Sequence, residues 1–284
     1  MDGAKGAVEE VEREELFRVK TREKSNKGER RVLALPIGHH RDLRDRMSAF
    51  TDALLAASPA IPGLDESIVI PARRLHFTLG VMALTGGASE PIDSSPSPSP
   101  STPRTLRTAA VLLEEIRPVL LKMLDGARLR VALKSMDIVK PERQDLERAH
   151  VMWVRPSPMN EDFERLRKLS NFVHEKFKTA GLVVDDGCPL KLHCTVLNTV
   201  YCKPRTRVRT PFSYSFILTS EALQAVSVTP ETAMVMAQAV SQSPSPGLRS
   251  VDFGEWVMEE VQICEMGSWG AEDEYVCVGR CPLV

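Results

Sequence analysis

Apolar and polar residues alternate in two stretches of the chain, and this period of two predicts β-strands with one buried face. The two strands are expected over residues 75–84 and 190–201. The apolar side comprises Leu75, Phe77, Leu79 and Val81 in the first stretch, and Leu192, Cys194 and Val196 in the second. The opposite side of each predicted strand is polar and is therefore free to carry chemistry.

Apolar residues three or four positions apart predict four helices elsewhere in the chain. These helices are expected over residues 41–57, 105–125, 160–181 and 220–240. Pro118 should kink or split the second helix. Asn160 should cap the third helix, and Gly181 should close it. Short apolar runs predict further strands at residues 32–35, 129–133, 151–154, 257–264 and 275–278.

The order of these elements repeats along the chain. Each half has a short strand, a helix, a loop and then a strand with the pattern basic-Leu-His-x-Thr. From Leu33 to His76 the chain advances 43 positions, and from Met152 to His193 it advances 41. Such similarity indicates a duplicated unit. The mixture of helices with successive strands favours an α+β protein with mostly antiparallel sheets.

Composition limits the classes of function. The chain has 284 residues, 43% of them hydrophobic, and a net charge of −1. Proteins that bind long nucleic acid usually carry a basic excess, so we expect phosphate to be bound locally by a few side chains in a cleft. The six cysteines are scattered and suggest reduced thiols in an intracellular compartment, the nucleus or the cytoplasm. They suggest no metal site, and no cofactor is expected.

The domain organisation is expected to be simple. Residues 1–30 are densely charged and predict a flexible tail, and residues 31–284 predict one domain. Two Ser/Pro-rich stretches, 86–104 and 241–248, predict loops within that domain. No apolar run approaches the roughly 20 residues of a membrane helix. We therefore expect no membrane segment, and a protein that is monomeric in isolation.

The candidate chemistry lies in two matching pentapeptides, Arg74-Leu75-His76-Phe77-Thr78 and Lys191-Leu192-His193-Cys194-Thr195. Histidine titrates near neutral pH, so one imidazole can act as a base and the other as an acid without a metal. Threonine hydroxyls can donate hydrogen bonds to phosphate, and basic side chains can neutralise its charge. The candidate substrate-binding residues are Thr78, Thr195, Arg74, Lys191 and Tyr201.

A single His-x-Thr is more often structural than catalytic, and the repetition is what favours a shared site. The remaining histidines lack this support. We interpret them as exposed or structural, and they are His39, His40, His150 and His174.

At these motifs the sequence resembles the 2H phosphoesterase superfamily. The likeness is to the branch of the A-kinase anchoring protein phosphoesterase-like (2′-5′ RNA ligase-like) domain and subunit 1 of the activating signal cointegrator 1 complex. It covers residues 31–282. The resemblance implies a bilobal fold with a cleft between pseudo-symmetric lobes. It also implies that His76 and His193 are catalytic, and that Thr78 and Thr195 bind phosphate.

Three functional interpretations stay open at this point. The first is a phosphodiesterase acting on RNA ends, or on 2′-5′ or 2′,3′-cyclic nucleotide phosphodiesters. The second is a non-catalytic nucleotide- or RNA-binding subunit of a transcription-coactivator or repair complex. The third is a scaffold whose Ser/Pro-rich loops and charged tail dock partners.

Overall fold

The computed structural model describes residues 29–85, 103–139, 145–184, 187–204, 208–228 and 247–283. The strands in these ranges are β1 (Glu29–Pro36), β2 (His76–Leu84), β3 (Leu129–Ile138), β4 (Val151–Pro156), β5 (Cys194–Asn198), β6 (Arg249–Ser250), β7 (Glu255–Met258), β8 (Glu260–Trp269) and β9 (Tyr275–Pro282). The helices are α1 (Arg41–Leu55), α2 (Leu106–Leu124), α3 (Phe163–Thr179), α4 (Tyr214–Thr219) and α5 (Glu221–Val226).

Several sequence predictions concern residues outside these ranges. The charged tail up to residue 28, most of both Ser/Pro-rich loops, and the helix predicted beyond residue 228 are among them. Strand β1 begins at Glu29, two residues inside the segment that we assigned to the tail. Across the described part of the chain, every helix is too short or too polar to traverse a bilayer.

The strands form two antiparallel sheets, which confirms the α+β prediction. The first sheet has the strand order β2-β1-β8-β9. The second has the order β5-β4-β3-β6, and β7 also pairs with β3. Strands β2 and β5, which carry the two motifs, therefore each lie at the end of a sheet.

The duplicated order that the sequence predicts is present in the structure. β1, α1 and β2 form one unit, and β4, α3 and β5 form the other. In each unit the first strand pairs antiparallel with the motif strand, placing Pro36 opposite His76 and Trp153 opposite Thr195. The motif residues thus occupy equivalent places in the two sheets.

One continuous hydrophobic core lies behind both sheets, and it contains Phe77 of the first motif strand and Val196 of the second. Val81, predicted on the same side as Phe77, is only half-buried, because the register of β1 and β2 shifts between Leu33 and Ala34 and Met82 enters the core instead. The two units are interleaved, because α3 of the second unit packs behind β2 of the first. His174 of α3 donates a hydrogen bond from Nδ1 to the carbonyl of Leu79, at 2.7 Å. A Cβ at Gly80 would lie 2.7 Å from the side chain of Val183, so this close approach requires glycine.

Pro118 does not split its helix. Helix α2 runs without interruption from Leu106 to Leu124, with Pro118 inside it. Proline removes one main-chain hydrogen bond. Burial of one helix face against the core offsets that loss, and this face comprises Ala109, Leu113, Ile116, Leu120 and Leu124.

The start of α3 also differs from the prediction. Asp162, rather than Asn160, is the residue before the first helical position. The Asn160 side chain accepts a hydrogen bond from the amide of Asp162, at 3.1 Å, and so shapes the turn before the helix. Gly181 has the left-handed backbone expected of a residue that ends a helix, with φ of 69°.

Strand β5 is shorter than predicted. It ends at Asn198, whose side chain accepts a hydrogen bond from the amide of Val200 and starts a 3₁₀ turn over Thr199–Tyr201. The alternation of faces therefore stops at Asn198. The strand predicted over residues 257–264 is divided in the structure between β7, which pairs with β3, and β8, which pairs with β1 and β9. Strand β9 is longer than predicted and continues to Pro282, which pairs with Glu260.

His39 and His40 are half-buried and structural. His40 donates from Nε2 to the carbonyl of Val257, at 2.8 Å. His39 lies 3.3 Å from the carboxylate of Glu259. Burial lowers the pKa of His39, and the neighbouring His40 lowers it further. The pair joins the start of α1 to the segment around β7.

Phe77 should be one of the larger contributors to stability, because it is fully buried directly behind the first motif. We expect Phe77→Ala to lower the free energy of unfolding by about 3–5 kcal/mol through lost apolar burial and a cavity. Urea denaturation measures this change. Val111→Ala is the control, since Val111 is 48% exposed, and it should change stability by less than about 0.5 kcal/mol. Equal effects of the two substitutions would contradict the packing described here.

Candidate active site

The first motif histidine is held by a local hydrogen bond. The 3₁₀ turn Ala72–Arg74 leads through buried Leu75 into β2, whose first residue is His76. Nδ1 of His76 lies 2.7 Å from the carbonyl oxygen of Arg74. A carbonyl oxygen only accepts, so Nδ1 carries the proton and Nε2 is the atom that titrates. The Thr78 hydroxyl lies 3.1 Å from Nε2 and donates to it in the neutral imidazole.

The second motif repeats this arrangement. Nδ1 of His193 donates to the carbonyl oxygen of Lys191, two residues earlier, at 2.9 Å. His193 immediately precedes β5, and Thr195 lies within that strand. Both imidazoles are thus oriented by the same bond, from residue i to residue i−2. In both rings Nε2 is the nitrogen left to exchange a proton with a ligand.

The two motifs adjoin because the ends of the two sheets meet. The amide of Ile70 donates to the carbonyl of Val196 at 2.8 Å, and Val69 forms an antiparallel bridge with Leu197. At the start of β5, the thiol of Cys194 lies against the main-chain amide of His76. Burial raises the pKa of Cys194 to about 12, so this thiol is inert at neutral pH.

The two imidazoles influence each other's protonation. Burial lowers the pKa of His76, and the charge of His193 lowers it further, against the bond to the Arg74 carbonyl, which raises it. Burial also lowers the pKa of His193, with a contribution from the charge of Lys191. Repulsion between two imidazolium ions favours a state with one neutral ring and one charged ring. That state is the one needed by a base and an acid working together.

Aromatic side chains flank both histidines. The ring of Tyr275 stands edge-on to His76, with centroids 5.1 Å apart. Trp153 lies beside His193 at 5.9 Å. Trp269 continues the first aromatic group, 5.0 Å from Tyr275. Each histidine therefore has an aromatic neighbour from a strand other than its own.

Sequence reasoning did not identify these aromatic residues. Trp153 lies in the predicted strand 151–154 of the same repeat unit as His193, and this shared unit was the available signal. No sequence pattern indicated Tyr275. Its position near His76 depends on the strand order β2-β1-β8-β9, which the sequence does not reveal. Burial raises the pKa of the Tyr275 phenol, and its hydrogen bond with Tyr201 raises it further.

Arg74 is engaged within the protein. Its guanidinium donates from Nε to the carbonyl of Asp273 at 2.9 Å and forms an ion pair with the Asp273 carboxylate. It also stacks on Trp269, with the guanidinium carbon 3.4 Å from the ring centroid. Arg74 therefore anchors the turn between β8 and β9, and a phosphate would have to displace Asp273 to pair with it.

The other predicted residues occupy different positions around the two imidazoles. Thr78 and Thr195 are half-buried, whereas Lys191 and Tyr201 are exposed. Tyr201 reaches the site from the 3₁₀ turn after β5, through its contact with Tyr275. Thr199 is six residues after His193, so an uninterrupted strand over 190–201 would place the two on one face. It is buried instead, 2.9 Å from Nδ1 of His150. The end of β5 at Asn198 accounts for this difference.

Arg155 is a further cation near the second histidine. It lies next to Trp153, with the guanidinium carbon 5.7 Å from the ring centroid, and it donates to the Ser135 hydroxyl at 3.2 Å. Burial lowers its pKa, and the carboxylate of Asp137 opposes that shift.

Among the residues that the structure describes, no three His, Cys, Asp or Glu side chains are grouped so as to hold a metal ion.

Comparison with known proteins agrees with the resemblance seen in the motifs. A family model described as the AKAP7 2′5′ RNA ligase-like domain matches residues 32–283. Activating signal cointegrator 1 complex subunit 1 of Mus musculus is 22% identical over 163 residues. That alignment covers 57% of this chain and 40% of the mouse protein, so the chain spans less than half of this relative.

Two solved structures that match the backbone over most of the chain have low sequence identity to it. Escherichia coli LigT complexed with 3′-AMP is 12% identical, with a TM-score of 0.45 over 90% of this chain and 98% of LigT. TT0787 of Thermus thermophilus is 14% identical, with a TM-score of 0.40 over 89% of this chain and 97% of that protein.

The electrostatic coupling of the two histidines can be measured directly. We expect the pKa of His76 to lie below the usual histidine value of about 6.5. His193→Asn should raise it, because repulsion by the second imidazolium is removed, without restoring the usual value, because burial remains. NMR titration of the imidazole resonances reports both values. His174→Asn is the control and should leave the pKa of His76 unchanged. If His193→Asn left the pKa of His76 unchanged, the two rings would be electrostatically uncoupled.

Proposed function

The chain belongs to the AKAP7 2′5′ RNA ligase-like domain family, and we propose that it is a metal-independent phosphodiesterase that uses His76 and His193 as its acid and base. The observation that carries the proposal is the paired geometry of the two imidazoles. Each is anchored through Nδ1 to its own main chain, and the charge of one lowers the pKa of the other.

In the proposed reaction, the neutral imidazole removes a proton from the attacking water or hydroxyl through Nε2. The oxygen attacks phosphorus, and the bond from phosphorus to the leaving ribose oxygen breaks. The protonated imidazole then donates its Nε2 proton to that oxygen. The two rings exchange protonation states during the reaction, and one proton transfer through solvent restores the starting state.

The hydroxyls of Thr78 and Thr195 are proposed to hold the phosphate. In the free protein the Thr78 hydroxyl is bonded to Nε2 of His76. When that ring is protonated, Nε2 becomes a donor, and the hydroxyl proton can turn to a nonbridging phosphate oxygen. Exposed Lys191 is proposed as a cation for the phosphate, and Arg74 as a second cation if its pairing with Asp273 is exchanged.

The proposed substrates are RNA ends and small nucleotides with 2′-5′ or 2′,3′-cyclic phosphodiester linkages. The family resemblance supports this class of substrate. The aromatic neighbours of the two histidines, Tyr275 and Trp153, also support it, because an aromatic face can stack a nucleobase. Tyr201, hydrogen-bonded to Tyr275, is proposed as part of the same substrate contact.

A non-catalytic function is the second candidate. One relative is by its name a subunit of the activating signal cointegrator 1 complex, and a subunit of this kind could read a nucleotide or an RNA end without cleaving it. The same side chains would then bind phosphate, with the histidines as hydrogen-bond donors. Binding without product formation separates this candidate from the enzyme.

We also propose an intracellular location, in the nucleus or the cytoplasm, and a monomeric state outside any complex. The six cysteines all lie in the described ranges, and each is a thiol rather than half of a disulfide. Reduced thiols are typical of compartments that keep glutathione and thioredoxin reduced, and this supports the location.

The enzymatic proposal is tested by removing Nε2 while keeping the Nδ1 bond. Asparagine places an amide nitrogen near the position of Nδ1, so His76→Asn and His193→Asn retain a donor for the main-chain carbonyl and lose the titrating atom. Loss of an acid or a base should lower kcat/KM by about 10²–10⁴-fold. Rates are measured on a panel of 2′,3′-cyclic, 2′-5′ and 3′-5′ substrates, with and without excess chelator.

His174→Asn is the matched control, since Nδ1 of His174 also bonds a carbonyl, that of Leu79, away from the site. It should retain nearly full activity, and chelator should have no effect. If wild-type protein and the double variant were equally inactive on every substrate, the enzyme proposal would be rejected. Tight binding of a nucleotide monophosphate by that inactive wild type would establish the second candidate.

The pH dependence of kcat/KM should be bell-shaped, because one ring must be neutral and the other protonated. Burial lowers both pKa values in the free protein. The base becomes active as pH rises through the lower apparent pKa, and the acid is lost as pH rises through the higher one. The maximum is therefore expected below about pH 6.5, the usual histidine value. A profile that only rises through neutral pH would contradict the two-histidine mechanism.

A further inference from the structure

Two cysteines face each other across adjacent strands of the first sheet. Cys264 of β8 lies directly opposite Cys277 of β9, and both are free thiols. Directly opposite residues of antiparallel strands point to the same face, with Cα atoms about 4.5–5.5 Å apart. A disulfide spans Cα separations of about 4.4–6.8 Å. The pairing therefore places the two cysteines side by side, at a point where the register of β8 and β9 shifts on both sides of Cys264.

The two sulfurs differ in reactivity. Cys264 is 2% exposed, whereas Cys277 is half-buried and open to small reagents. The Cys264 thiol donates to Oε1 of Gln262 at 3.2 Å, and the Cys277 thiol lies 3.3 Å from the carbonyl of Gly279. Interaction between the two sulfurs lowers the pKa of Cys277 and raises that of Cys264. The thiolate is the nucleophilic form of cysteine. Cys277 is thus the attacking sulfur of the pair, and Cys264 is placed to resolve its oxidised form.

This pair lies next to the candidate active site. Cys264 belongs to a small apolar cluster with Val32 and Ala34, separate from the main core, and Tyr275 packs against that cluster. Tyr275 precedes Cys277 by two residues in β9 and stands edge-on to His76. A change in the packing of the two sulfurs would therefore move the Tyr275 side chain, which contacts the ring of His76.

We propose that Cys264 and Cys277 form an oxidisable dithiol, which a hydroperoxide converts to a cross-strand disulfide that shifts Tyr275 against His76. The Cys277 thiolate attacks one peroxide oxygen, and the O–O bond breaks to give a sulfenic acid and hydroxide. The Cys264 sulfur then attacks the sulfenic sulfur and loses its proton as water leaves. The peroxide is reduced by two electrons, and the dithiol is oxidised by two. This modification does not require turnover at His76.

The test treats the full chain with hydrogen peroxide, blocks the remaining thiols with an alkylating reagent, and maps the linked peptides by mass spectrometry. We expect a disulfide between Cys264 and Cys277. Before alkylation it lowers the intact mass by two hydrogens, and dithiothreitol restores the mass by reducing it. Cys264→Ser should instead leave a sulfenic acid at Cys277, trapped by dimedone. Cys277→Ser should slow oxidation of Cys264 at least about tenfold. Cys188→Ser, which removes an exposed thiol, is the control and should change neither result.

The wild-type protein supplies a readout that does not depend on folding of the variants. If peroxide produced no link between Cys264 and Cys277, or oxidised Cys188 first, the dithiol would be rejected. The effect on the site is read separately, from the NMR resonances of the His76 imidazole before and after oxidation. A link that left those resonances unchanged would overturn the proposed effect on Tyr275 and His76, whatever the outcome of the activity assays.

Discussion

The junction between the ends of the two sheets is the contact on which the site depends. It consists of the hydrogen bond from Ile70 to Val196, the bridge between Val69 and Leu197, and the thiol of Cys194 against the amide of His76. Main-chain bonds of this kind fix the register between two strands. Here they fix the distance between two histidines that are 117 positions apart in the chain. Without the junction, each imidazole would be an isolated side chain at the end of a sheet.

Once the junction places the two histidines close together, local hydrogen bonds determine the orientation of each imidazole. The bond from Nδ1 of each ring to the carbonyl two residues earlier selects one tautomer and one ring orientation. Because the bond is made within each pentapeptide, both copies make it independently. Burial then lowers the pKa of both rings, and the charge of His193 lowers that of His76 further. Two imidazoles with the same tautomer and orientation thus arise from two separate local arrangements that the junction brings together.

The third influence on the site comes from the closing hairpin, β8 and β9. Its turn is held by Arg74, through Asp273 and Trp269, and its strand β9 supplies Tyr275. Arg74 illustrates the limit of reasoning from strand parity. Arg74 is two residues before His76, so continued alternation would place the two side chains on one face. Arg74 belongs instead to the 3₁₀ turn before the strand. An acidic partner from a distant hairpin then determines where the guanidinium lies.

The sequence by itself determined the duplicated order of elements, the α+β class, the buried side chains next to each motif histidine and the candidate histidines. These follow from periodicity and from two matching pentapeptides, which are local properties. Only the tertiary structure decided which residues surround the imidazoles. Tyr275 and Trp153 arrive by strand pairing, Arg74 is redirected by an ion pair, and Thr199 turns into the protein where β5 ends. Such contacts join residues far apart in the chain, so their positions depend on register and packing, which no local pattern encodes.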